Sequence, residues 1–290
     1  MRRLKNPRLM LILSMAVFGT LAPFVRNIPV SSGELALYRA LLAAVMILAV
    51  FALTKQSINW KAIRKEVPLL LLSGIAMGFN WILLFEAYKY TTVSVATLSY
   101  YFAPVIVTVA SPLLFREKLT AKQILCFVFS TAGLALVIGI SGGEKGASHL
   151  TGILFGLGAA VLYATVILLN KFIKGVAGLQ RTFLQFLAAI AVLIPYVACT
   201  SGVTLGGMDG KGWLCLLVVG LLHTGVAYIL YFSSLKEMPG QEAAILSYVD
   251  PLVAVIISVT VLGEAMTVTQ IIGGILILGF TLWNEINPKH

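Results

Sequence analysis

The sequence predicts an all-α integral membrane protein, with ten transmembrane helices arranged as two inverted five-helix repeats. Three observations predict it. Hydrophobic residues make up 59% of the chain and charged residues only 11%, against roughly 25% charged in a soluble domain. Apolar runs of about 20 residues, enough to cross a hydrocarbon core of about 30 Å, recur along the whole chain. The second half also repeats the first: Pro104, Glu117, Thr120 and Gln123 superimpose on Pro251, Glu264, Thr267 and Gln270 at one constant shift of 147 residues. A duplicated unit in a membrane chain marks a protein assembled from two halves.

The runs fall at 9–28, 33–54, 68–88, 92–114 and 121–140, then at 150–172, 180–201, 212–234, 240–262 and 268–286. This assigns residues 1–145 to the first repeat and 146–290 to the second. The first run begins with Arg2, Arg3, Lys5 and Arg8, as a signal peptide would. It is read as a membrane helix, because Thr20-Leu21-Ala22-Pro23 is a poor cleavage site and the repeat needs a fifth helix. The shift of 147 also pairs Gly78 with Gly225, Phe85 with Phe232, Lys89 with Lys236 and Tyr101 with Tyr248. The first helices align more weakly, Phe18 and Thr20 matching Tyr163 and Thr165.

The net charge of +10 follows topology, not nucleic-acid affinity. Sixteen of the 21 Lys and Arg residues fall on connectors of one side, while Arg26, Lys89, Lys145 and Lys211 fall on the other. The positive-inside rule then places both termini in the cytoplasm and the chain in the inner (cytoplasmic) membrane. Five helices per half send the second half into the bilayer upside down, so Lys89 and Lys236 lie on opposite sides. Cys126, Cys199 and Cys215 sit in or beside apolar runs without metal spacing and read as buried thiols, so no cofactor or metal is expected.

Several motifs read as structural. Ser31-x-x-Glu34, Thr120-x-x-Gln123 and Thr267-x-x-Gln270 have the form of capping boxes that start the second, fifth and tenth helices. Glu117 and Glu264 stand at helix ends beside them. Pro104 and Pro251 lie inside the fourth and ninth helices, where each frees the carbonyl four residues earlier. Gly152-x-x-x-Gly156 and Gly273-Gly274 suit close helix packing. Glu86 and Lys89 are three apart and pair.

Ionisable and amide side chains at membrane depth are expensive and point to function. Asp250 stands near the centre of the ninth helix, His223 near the centre of the eighth, Arg39 about two turns into the second and Asn80 near the middle of the third. His223, Ala227, Tyr231 and Ser234 share one helix face, as do their repeat equivalents Ala76, Asn80, Leu84 and Ala87. Two-fold symmetry would aim both faces at the central interface. Asp250 replaces Ala103, so the halves differ chemically there. Trp81, Tyr101 and Tyr248 lie deep enough to line a cavity. The alternative for each polar residue is a satisfied interhelical hydrogen bond.

The run proline, apolar helix, Glu-x-[Leu/Met]-Thr-x-x-Gln occurs as Pro104…Glu117-Lys118-Leu119-Thr120…Gln123 and as Pro251…Glu264-Ala265-Met266-Thr267…Gln270. It resembles the EamA repeat of the ten-helix branch of the drug/metabolite transporter superfamily. The resemblance weakens at Ala16-Val17-Phe18-Gly19, where that family often has Trp-Gly, and at Cys126, which stands opposite Gly273. It implies a secondary carrier that exports a small organic solute, such as an amino acid or amine, by alternating access. It also implies a central cavity formed by helices 1, 3, 4, 6, 8 and 9.

Asp250, His223, Asn80, Trp81, Tyr101, Tyr248 and Arg39 are then the substrate-binding candidates, with Asp250 and His223 as carriers of a coupling proton. The expected partners are the solute, the lipid bilayer and protons, but no nucleic acid, and the carrier is a monomer or homodimer. The rival reading is a uniporter, facilitator or channel-like pathway; saturable counterflow of a labelled solute would favour a carrier, and simple conductance a channel. An enzyme is not expected, since neither His-Glu-x-x-His nor Gly-x-Ser-x-Gly occurs.

Overall fold

A computed structural model describes residues 6–55, 63–115, 120–138, 146–176, 178–235, 237–238 and 240–286. Glu117 and the basic residues Arg2, Arg3, Lys5, Lys61, Arg116, Lys118, Lys145, Lys236 and Lys289 lie outside them. The described residues are helical and group into ten spans, five per half. Eight are helical stretches long and apolar enough to cross a membrane, and the shorter apolar helices of spans 5 and 9 complete the ten. Leu13, Val45, Leu72, Val128, Ile194 and Ile275 are exposed; on a chain of this hydropathy such residues face lipid, which charged side chains could not do.

Several helix starts follow from local chemistry. Asn6 accepts from the Leu9 amide at 3.3 Å ahead of Pro7, a residue pre-set for the first turn. The capping boxes at Ser31 and Thr267 are both closed. Thr120 and Gln123 exchange the same two bonds, at 2.8 and 3.2 Å. Glu34 also accepts from the Thr204 amide at 2.6 Å and from Tyr38 at 3.1 Å, so this cap ties down the connector after span 7.

Four spans are not continuous helices. Span 1 divides into Pro7–Gly19 and Leu21–Val25, span 4 into Val93–Tyr100 and Ala103–Phe115, and span 9 into Gly240–Leu246 and Val249–Thr260. The sequence predicted kinked but unbroken helices at Pro104 and Pro251. Each proline instead sits in the first turn of a new helix, where its missing N–H removes no bond. Pro23 acts likewise: its ring clashes with a helical carbonyl at Gly19, and the chain breaks at Thr20. Span 8 runs Gly210–Leu217, then a π-helical stretch Val218–Val226, then Ala227–Leu235.

The halves exchange a helix. Span 6 packs against spans 3 and 4 of the first half, and span 1 packs against spans 8 and 9 of the second. This makes two equivalent bodies, 3-4-6 and 8-9-1. Spans 5 and 10 pair beside them, as do spans 2 and 7. A Cβ built at Gly133 would meet the Gly273 carbonyl at 2.7 Å, and one at Gly273 would meet the Gly133 carbonyl at 2.5 Å. Only glycine at both positions lets spans 5 and 10 approach this closely. Gly152 and Gly156 are pressed in the same way onto Thr91 and Ser99, at opposite ends of the first helix of span 4.

Candidate functional site

The breaks converge. A Cβ on Gly19, at the break of span 1, would lie 2.6 Å from the Asp250 carbonyl and 2.7 Å from Val253 Cβ. The fine structure of span 1 is therefore fitted to the break of span 9. Tyr101 closes the first helix of span 4, and Asp250 lies in the first turn of the second helix of span 9. The Tyr101 hydroxyl donates to Asp250 Oδ2 at 2.5 Å. This bond joins the two bodies at the depth where their helices are interrupted. Interrupted helices at the midplane are the usual site-forming element of secondary transporters, because free backbone ends and side chains there can meet a solute.

Arg39 is 3% exposed, and its Nε donates to Thr224 Oγ1 at 3.0 Å. Its guanidinium lies 4.5 Å from the Trp81 ring centroid and 5.3 Å from that of Phe85, a favourable stacking for a desolvated cation. Among the described residues neither Arg39 nor Asp250 belongs to an ion pair. Tyr88, Tyr100 and Tyr228 lie within electrostatic reach of both. Arg39 and Asp250 thus flank one tyrosine-lined region without meeting. Tyr163 stacks on Tyr100 at 5.2 Å, while Phe18 and Phe186 each set an edge against Tyr228.

His223 is fully buried. Its Nδ1 is 3.2 Å from the Val218 carbonyl and its Nε2 3.1 Å from Thr20 Oγ1. Thr20 can alternatively donate to the Val17 carbonyl at 2.9 Å. The next residue, Thr224, donates to the Val219 carbonyl at 2.8 Å while accepting from Arg39. Both side chains bond five residues back, which is the spacing of the π-helix they occupy.

The structure brings Asp250, Tyr101, Arg39 and Trp81 to the space between the bodies. Asn80 and His223 lie beside it but turn inward to their own bodies. Asn80 Nδ2 donates to the Ala159 carbonyl of span 6 at 2.6 Å, and His223 meets Thr20 of span 1. The polar faces of spans 3 and 8 therefore meet the exchanged helices, where symmetry alone had suggested the central interface. Tyr248 does not join the group: it is buried toward the neighbours Thr281, Glu285 and Cys126. Sequence reasoning passed over Thr20, Thr224, Phe18 and Phe186, and gave no preference to Tyr100, Tyr163 and Tyr228. The weak match of Phe18 and Thr20 to Tyr163 and Thr165 was the one signal for the first of these. Glu86 and Lys89 pair at 2.9 Å as expected. Cys126 and Cys215 are buried, whereas Cys199, at the end of its helix, is exposed.

These features define a two-repeat membrane transporter. The chain belongs to the EamA-like transporter family, which matches it twice, over residues 7–139 and 150–284. It is 28% identical over 268 residues to the uncharacterized transporter YxxF of Bacillus subtilis (strain 168), covering 92% of this chain and 85% of that one. It is 30% identical over 281 residues to an uncharacterized transporter of Archaeoglobus fulgidus, covering 95% of each. A solved crystal structure of 17% sequence identity shares the fold, with a TM-score of 0.67 over 95% of each chain. The protein is a membrane transporter and not an enzyme.

Proposed function

We propose that this transporter moves a small organic solute carrying an amine, such as an amino acid, across the cytoplasmic membrane by alternating access, in the export direction. The observation that carries the reading is the Tyr101–Asp250 bond between the two bodies, set among interrupted helices. In this reading Asp250 receives the ammonium group or a coupling proton, and Tyr101 releases it as the bodies rock. Arg39, held on Trp81, receives a carboxylate or other anionic end. The tyrosines and Phe186 contact the apolar part of the solute. Asn80 and His223 position the walls from within their own bodies, and Tyr248 lies apart from the solute.

His223 suits a proton carrier because it finds partners in both charge states. Neutral, with Nδ1–H donating to the Val218 carbonyl, it accepts from Thr20. Protonated, it donates to both, while the Thr20 hydroxyl turns to the Val17 carbonyl. Arg39, bonded to the adjacent Thr224, lies within electrostatic reach of it. Export is the direction the family resemblance implies. Both termini are assigned to the cytoplasm by the asymmetry of basic residues, and the repeats meet at 145/146.

The test begins with a thermal-shift screen of amino acids, amines and nucleosides on the purified protein, since a bound solute raises stability by mass action. A compound that stabilises the wild type is then followed by counterflow in proteoliposomes. Asp250→Asn is expected to abolish transport and its pH dependence; unchanged transport with unchanged pH dependence would refute the assignment.

A further inference from the structure

A second cross-body cluster lies at the far end of the molecule, the side opposite the start of span 1. Arg26 follows the second helix of span 1 and pairs with Glu264 through Nη2 and Oε1 at 2.6 Å. The same Nη2 lies 3.3 Å from the Tyr88 carbonyl at the end of span 3 and 3.3 Å from the Thr91 carbonyl ahead of span 4. The other oxygen of Glu264 accepts from the Val93 amide, the first of span 4, at 2.8 Å, and from the Ser258 hydroxyl. Ser258 accepts in turn from the amide and hydroxyl of Ser94, at 3.2 and 2.7 Å. Gly263, with φ +65°, makes the turn that brings Glu264 back under span 9. The Glu264 side chain is 10% exposed and that of Arg26 31%, so the carboxylate is largely withdrawn from solvent while the guanidinium reaches the surface, and the bonds from Glu264 and Ser258 to the span 4 backbone and Ser94 add to what the ion pair alone would contribute.

Most of these bonds cross between the two bodies. Arg26, Ser258 and Glu264 belong to body 8-9-1; Tyr88, Thr91, Val93 and Ser94 belong to body 3-4-6. The helix packing agrees with the side chains. The far-end helices Val93–Tyr100 and Val249–Thr260 pack on each other, whereas the near-end helix Ala103–Phe115 packs on spans 5 and 6 and Gly240–Leu246 on spans 1 and 10. The bodies are therefore closed at the far end. At the near end, Lys171 and Ser111 stand where the repeat puts Arg26 and Ser258, and they approach each other at 3.4 Å within body 3-4-6.

We propose that Arg26 and Glu264, with Ser258, form the latch that holds the far mouth shut and so determine which side of the membrane the Asp250 site faces. The inference rests on the alternating-access reading above and adds residues remote from the solute to it. Lys171 and Ser111 are the corresponding half of a latch that engages body 8-9-1 when the near mouth closes.

The test uses spin labels on the full chain in nanodiscs, with Cys126, Cys199 and Cys215 replaced. One pair, at Leu150 and Val261, spans the far mouth; another, at Asn6 and Leu114, spans the near mouth. All four sites are exposed. In Arg26→Gln and in Glu264→Gln, the ratio of open to closed far mouths is expected to rise about tenfold, which corresponds to about 1.4 kcal/mol. The near-mouth distance should shorten in step. Should those variants not fold, Ser258→Ala keeps the ion pair and is expected to shift both distances the same way by less.

A far-mouth distribution unchanged in a folded variant would overturn the latch, and so would a broadening of both distributions together, the mark of a merely structural contact. A far mouth that opens while the near mouth stays unchanged would support the latch but refute alternating access, so the two failures are distinguishable.

Discussion

Ser14 of span 1 donates its hydroxyl to the Ala227 carbonyl of span 8 at 2.8 Å. In the repeat these two positions correspond to Ala159 and Asn80, where the Asn80 amide donates to the Ala159 carbonyl at 2.6 Å. One interhelical contact is thus made twice, with the side-chain donor carried by the exchanged helix in one body and by the resident helix in the other.

That equivalence predicts similar penalties for removing either donor. Ser14→Ala and Asn80→Ala are each expected to lower stability by ~0.6 kcal/mol, with about 1.7 as the upper range for interhelical bonds in membranes. Reversible unfolding in mild detergent measures this. An Asn80→Ala protein of wild-type stability but lost transport would instead make Asn80 a solute contact.

Tyr101→Phe leaves the Asp250 carboxylate without its donor in a desolvated place. The expected loss is ~1–3 kcal/mol, the usual penalty for a buried group deprived of its partner. The double variant with Asp250→Asn should recover part of it, because the two residues form one interaction and their effects do not add. A double-mutant cycle on unfolding midpoints would show additivity if the bond were absent.

Arg39→Met separates a charge kept for binding from one kept for folding. Methionine fills similar space and removes a buried cation that lacks an ion-pair partner among the described residues, so the thermal midpoint should stay level or rise. The thermal shift given by an anionic or zwitterionic solute should vanish. A fall of several degrees in the ligand-free protein would make Arg39 a structural residue.

Two glycine substitutions test the spacing of spans 5 and 10. At Gly133 a Cβ meets backbone at 2.7 Å, and at Gly279 it meets nothing within 4 Å. Gly133→Ala is expected to destabilise strongly, since the helices must separate. Gly279→Ala should be neutral or gain up to ~1 kcal/mol from helix propensity. Equal effects in unfolding assays would mean the two helices are not packed at this distance.

Much of the fold could be read from the chain, because lipid imposes a length and a polarity on each span and the capping boxes mark where several begin. The lone acid at 250 and the repeat position of Tyr101 were visible for the same reason: at this depth a polar side chain stands out. The breaks were only half visible. Prolines 104 and 251 announced disturbed helices, but their position in a first turn, not an interior, depends on what neighbouring spans allow. The π-helical turn around His223 has no proline at all; His223 and Thr224 bond to carbonyls five residues back, a choice made by side chains and invisible to hydropathy. Tyr248 misled because repeat equivalence with Tyr101 fixes a position along the helix, not the direction its ring takes once the helix is broken. The exchange of spans 1 and 6 left no trace in composition, since an apolar helix offers the same surface to either half.

That exchange orders the birth of the molecule. Span 1 enters the bilayer before the rest of its body, and the partners of Ser14 and Thr20, Ala227 and His223, follow more than two hundred residues later in the chain. Body 3-4-6 is complete as soon as span 6 is inserted, while body 8-9-1 closes only after span 9. Until span 8 is in place, the Thr20 hydroxyl has the Val17 carbonyl of its own helix as an acceptor. A carrier cut between its repeats would have to find its missing helix in the plane of the membrane before either body could close.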